Sequence, residues 1–118
     1  MDDDEDGGPQ CGSAEAQLGA RVPLDIAPGT DGNVHPETGG MSAAADDPRF
    51  LPPHFRPRAL PGGRSSLPCF SIREDQLGSS LEPRFKKKHV FVEPFAIMPL
   101  AAYQTELCNT RSSWRRWS

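Results

Sequence analysis

No stretch of this chain carries enough unbroken apolar surface to build an interior by itself. The richest, Val90 to Ala102, is interrupted by Glu93, Pro94 and Pro99. Proline fixes φ and removes a backbone donor, so it ends helices and is excluded from central strands. Elsewhere large aliphatic and aromatic side chains are sparse: Leu, Ile, Val and Phe together make 22 of 118 residues, just under the roughly 20% at which burial begins to offset chain entropy. Thirteen prolines and eleven glycines punctuate the remainder. The fold class this predicts is a mostly intrinsically disordered chain with no independent globular core. It would hold at most a short strand over about 88–92 and a short helix over about 99–108.

The net charge of −3 is modest for a disordered chain, but it hides a division. Residues 1–47 hold eleven acids against the single base Arg21, whereas residues 48–118 hold five acids against twelve bases. All nine aromatic residues lie at or after Phe50. An acidic tail joined to a basic, aromatic half is the pattern of an interaction protein rather than of an enzyme core.

Four segments follow. Residues 1–47 read as an acidic disordered tail, in which Ser13–Leu18 could form no more than a helical turn before Gly19. Residues 48–83 form a Pro/Arg/Phe-rich extended linker, with Pro61-Gly62 placed for a type II turn and a short helix conceivable over Ser71–Leu77. Residues 84–108 are the candidate docking segment, expected to order on binding. In it Val90, Phe91 and Val92 favour a strand. After Pro99, Leu100, Tyr103 and Leu107 fall on one helical face. Residues 109–118 are an Arg/Trp tail. The ordering entropy of residues 90–107 exceeds what their nine large apolar side chains return on burial, so the segment needs a partner surface.

Candidate partner-binding residues are Phe91, Phe95, Leu100, Tyr103, Leu107, Trp114 and Trp117, since aromatic anchors dominate interface energetics. Arg84, Lys86, Lys87 and Lys88 form a basic patch, readable as a nuclear-import signal, a phosphate-contacting site or a soluble flank. Arg115-Arg116-Trp117-Ser118 has the look of a basophilic kinase site. Asp47–Phe55 and Glu82–Phe91 share an acid, Pro, Arg, Phe and His, an echo that suggests two similar docking motifs.

Other chemistry is missing from the pattern. There is no phosphate-binding glycine loop and no nucleophile elbow. No Cys or His lies within ten residues of another, which leaves no zinc spacing, and no cofactor is expected. Prolines are never three apart, so polyproline recognition lacks its period. No window reaches the length of a membrane span, and the acidic opening MDDDEDGG is unlike a secretory signal. Cys11, Cys69 and Cys108 are odd in number and widely spaced, which argues against a disulfide framework and for a reducing compartment.

The function expected is that of a non-enzymatic intracellular interaction or regulatory protein, cytoplasmic or nuclear. It would bind a protein partner through short segments by coupled folding, while the acidic half tunes solubility or masks the basic half. The alternative is a nucleic-acid-binding accessory protein using residues 49–118, favoured by Arg/aromatic interleaving. The Ala/Gly/Arg/Pro bias also admits a truncated isoform or a reading frame without a selected function.

Overall fold

Before the Lys-rich run Leu81, Pro83 and Phe85 alternate with charged residues, after it Val90, Phe91 and Val92 are adjacent and β-prone, and this is where the largest sheet forms. In the computed structural model, which describes residues 1–4 and 6–117, the elements in chain order are β1 (Asn33–Val34), β2 (Met41–Ala44), β3 (Phe70–Ser71), β4 (Leu81–Lys86), β5 (His89–Pro94), β6 (Met98–Pro99), helix α1 (Leu100–Asn109) and β7 (Arg115–Arg116). Short 3-10 turns occupy Pro48–Phe50, Glu74–Gln76 and Arg111–Ser113. The strands make three small antiparallel sheets: β2-β5-β4, β1-β6 and β3-β7.

The strand expected at 88–92 is longer and is half of a hairpin. Lys86 pairs with His89, leaving Lys87 and Lys88 as a two-residue turn, and Lys87 takes φ +58°, as tight hairpin turns require at their first corner. Because β-side chains alternate, Leu81, Pro83 and Phe85 share a face with Val90 and Val92, and with Met41 and Ala43 of β2. That face covers the core at Leu81, Val90, Val92 and Met41. The opposite face carries Glu82, Arg84 and Lys86 beside Glu93, Phe91 and His89.

Helix α1 begins after Pro99 and ends at Asn109, within a residue of the range its sequence indicates. Tyr103 and Leu107 point into the core and Leu100 packs at its margin. The Tyr103 hydroxyl accepts from the Met41 N–H at 3.0 Å and donates to the Val92 carbonyl at 2.5 Å, joining the helix to two cross-strand partners of the sheet. Gly40 is required beside it: a Cβ there would lie 2.3 Å from the Val92 carbonyl oxygen and 3.0 Å from Tyr103 Oη.

The expectation of a disordered chain is overturned. The Cα radius of gyration is 13.8 Å, against about 13.5 Å for a compact chain of this length and about 35 Å for an unfolded one. The acidic region supplies what segment 84–108 lacks. Leu18, Ala20, Ile26, Val34 and Met41 form one buried cluster with Leu77, Leu81, Val92, Tyr103 and Leu107, so the docking segment is already ordered by its own chain. The Ser13–Leu18 stretch is turns rather than helix, and only Glu74–Gln76 of Ser71–Leu77 is helical, as a 3-10 turn. Pro61-Gly62 does make its turn, with Gly62 at φ +74° and the Gly63 N–H donating to the Leu60 carbonyl.

Two further readings change. Cys11 and Cys108, 97 residues apart, form a disulfide, leaving Cys69 free; their wide spacing concealed the pair because the fold closes the chain's two ends together. The echoed motifs adopt different structures, since Pro48–Phe50 is a 3-10 turn while Pro83–Phe85 lies in β4. They are not a repeated unit.

Candidate interaction surface

The hairpin concentrates positive charge because a two-residue turn brings Lys86, Lys87 and Lys88 to one end of the sheet. Their environments differ. Among the described residues, none of the three has a carboxylate within ion-pairing distance, whereas Arg84 has two: its Nε donates to Glu93 at 2.9 Å and its Nη2 lies 3.5 Å from Glu37. Glu93 is 2% exposed and its carboxylate also accepts from the Glu37 backbone N–H at 3.1 Å. A buried carboxylate needs such partners to stay charged. Arg84 therefore anchors the fold, and the free basic patch is the three lysines. The Lys88 ammonium sits 4.6 Å above the Phe50 ring, which ties the 3-10 turn at Pro48–Phe50 to the hairpin tip.

The aromatic candidates separate in the same way. Phe91 is half-buried on the face away from the core, its ring centroid 4.6 Å from that of His89. Phe85, at the hairpin end, is 52% exposed, and Phe95 and Ile97 are each 60% exposed. Tyr103 and Leu107 are buried in the core, so their side chains have no surface to offer. Leu100 is partly buried against the same cluster. Trp114 packs there too and donates from Nε1 to Thr110 Oγ1 at 2.9 Å. Trp117 is half-buried, and its backbone N–H donates to the Cys69 carbonyl at 2.7 Å. Ser118, the acceptor of the kinase-site reading, lies outside the described residues, as does Glu5 of the acidic run.

The free edge of β4 is interrupted at its middle. The Phe95 N–H donates to the Ser80 carbonyl, and this phase makes Glu82–Glu93, Arg84–Phe91 and Lys86–His89 the hydrogen-bonded pairs. The backbone groups of Leu81, Pro83 and Phe85 then face outward, and proline has no N–H to donate there, which weakens this edge as a template for an added strand.

The acidic run covers a different part of the basic half. Arg111 reaches Asp4, at 3.1 Å, and both carboxylate oxygens of Asp6, while Arg116 pairs with Asp3 at 2.7 Å. The Arg111 guanidinium hydrogen-bonded to Asp6, helped by the Gly8 N–H, draws that carboxyl down to about 2. Burial pushes the Tyr103 phenol well above its ordinary value, and burial likewise raises the Cys69 thiol.

A groove of about 660 Å³ runs between the N-terminal segment and α1, bordered by Cys11, Leu18, Val22, Leu100, Gln104 and Cys108 among others. A smaller one of about 350 Å³ is lined by Ser71, Ile72, Arg73, Gln76 and Arg115. Among the described residues, no three His, Cys, Asp or Glu side chains converge on a point that could hold a metal ion, and no helix is long and apolar enough to cross a membrane.

Sequence reasoning missed the Glu93–Arg84–Glu37 cluster and the docking of Phe50. Glu93 carried a signal: a lone acid inside an apolar strand demands a cation, and Arg84, opposite Phe91, lies diagonally across the hairpin from it. Compared with protein-family models, curated proteins and solved structures, the chain shows no match.

Proposed function

We propose that this chain is a non-enzymatic interaction protein. Its preformed hairpin end would dock an acidic segment of a protein partner. The observation that carries this reading is the run Lys86–Lys88, held at a two-residue turn without carboxylate partners among the described residues and adjoining the Phe91–His89 ring pair on the face away from the core. Cations steer an acidic segment to the surface, and rings give it apolar contact once it arrives. Because the site is already folded, binding does not carry the ordering cost of a disordered segment.

The test is an amide NMR titration of the full chain with a synthetic Glu/Phe-containing peptide. Shifts confined to residues 85–91, lost in the Lys86→Ser/Lys87→Ser/Lys88→Ser variant, are expected. An undisturbed hairpin would defeat the reading. The His89 and Phe91 rings beside Lys86, in contact with their planes 55° apart, also favour a second ligand, single-stranded nucleic acid, which stacks bases on aromatic side chains. Three lysine–phosphate contacts would give a log–log salt slope of roughly −2. A tighter, salt-steep response to an oligonucleotide than to the peptide replaces the first reading with the second.

A further inference from the structure

The N-terminal segment 1–20 is fastened to the C-terminal region by contacts that converge on one covalent bond. Cys11 is joined to Cys108 near the end of α1. Gln104, one helical turn earlier, takes the Ala20 N–H on Oε1 at 2.9 Å and returns a bond from Nε2 to the Ala20 carbonyl at 2.7 Å. Beyond the helix, Arg111 Nε donates to the Pro9 carbonyl at 2.8 Å and its guanidinium holds Asp4 and Asp6, while Arg116 holds Asp3. Pro9, Leu18 and Ala20 are the segment's buried apolar contributions, with Met1 partly buried against the same core. Apart from these side chains and the disulfide, what holds the segment is polar and largely at the surface, where ion pairs contribute little and are screened by salt.

We propose that the Cys11–Cys108 bond is a thiol-reducible clasp that holds the acidic segment 1–20 over α1 and the arginines that follow it. Both cysteines border the solvent-open groove beside the helix, and a thiolate must reach a disulfide sulfur to exchange with it. A dithiol reductant attacks one sulfur to form a mixed disulfide. Its second thiol then displaces the other half, so two electrons enter the bond, two protons end on Cys11 and Cys108, and the reductant leaves as its cyclic disulfide. Reduction leaves β2, β4, β5 and the body of α1 with their own contacts, but frees the segment to detach. Detachment uncovers Arg111 and Arg116 and the side of α1 that bears Gln104.

Arg21 supplies the reporter, because it is the only tryptic site in residues 1–47 and lies at the end of the clasped segment. The full chain is digested with trypsin at native pH, with and without dithiothreitol, and cleavage after Arg21 is followed by mass against cleavage after Arg84. Reduction should accelerate cleavage after Arg21 by at least about tenfold while the Arg84 rate stays within about twofold. The Cys11→Ser/Cys108→Ser variant should cleave at the fast rate in both conditions. An Arg21 rate indifferent to reductant overturns the proposal. So does a parallel rise at Arg84, or a variant that fails to fold, since either makes the bond a staple of the whole fold.

Discussion

Replacing Tyr103 by Phe removes one oxygen atom from the centre of the molecule and leaves the ring in place. The hydroxyl is 0% exposed with its residue and links the Met41 N–H to the Val92 carbonyl. Met41 and Val92 are themselves buried, so water does not replace the lost partner. A buried backbone group left without a hydrogen bond costs about 1–3 kcal/mol, and two such groups give about 2–6 kcal/mol. The two residues face each other in register, so partial closure of the strands would bring the loss toward the lower end. A domain of this size has about 5–15 kcal/mol in total, and the substitution should lower Tm by on the order of 10 °C. Urea unfolding of both proteins, followed by Trp fluorescence, measures the difference, with an unchanged m-value showing that the native state keeps its compactness. A loss under about 0.5 kcal/mol would refute the bridge as a determinant of stability. Tyr103 is also the only tyrosine, so its ionisation can be followed directly. Burial raises its folded pKa, hence the unfolded chain loses its proton first as pH rises. The contribution is complete below about pH 10 and declines above it. Tyrosinate absorbance should appear only with unfolding.

Arg84→Met strands the Glu93 carboxylate, whose remaining bond comes from the Glu37 N–H. Breaking a fully buried pair costs about 3–5 kcal/mol; Arg84 is 45% exposed, and solvent reduces this to about 1–3 kcal/mol. The double variant Arg84→Met/Glu93→Leu should recover most of the loss in the same urea assay, and a failure to recover would separate the pair's role from that of the methylenes. At the N-terminus, Asp6 titrates at about 2 because of Arg111, below its ordinary value near 3.9 in the unfolded chain. Its stabilising effect is present above that ordinary value and is lost as pH falls toward 2. The Asp6→Asn variant should therefore show a flatter stability profile between about pH 4 and 2, and an unchanged acid limb would contradict the assignment.

The local elements were legible and the long-range ones were not. Pro99, the Leu100/Tyr103/Leu107 face and Asn109 define a helix by local rules, and Val90–Val92 a strand. Disorder follows from counting Leu, Ile, Val and Phe over the whole chain and from asking residues 90–107 to bury their own nine large side chains. The real interior draws on Met41, Ala20, Ala45 and Pro9 as well, side chains outside both counts. It also gathers single apolar residues from turns, such as Leu18, Ile26 and Val34, each surrounded in sequence by acids and glycines. No periodicity marks a core assembled that way. For the site, residue type found the patch, but only the hairpin register separates Arg84, turned inward to Glu93, from the lysines at the tip.

Segments far apart in this sequence are joined to one another in the fold. Cys11, Ala20 and the aspartates near the start have their partners at Cys108, Gln104, Arg111 and Arg116. During synthesis the segment around Cys11 therefore has nothing to fasten to until the residues around Cys108, 97 positions later, have also been made. The pace of that closure is set by how quickly two distant segments find one another.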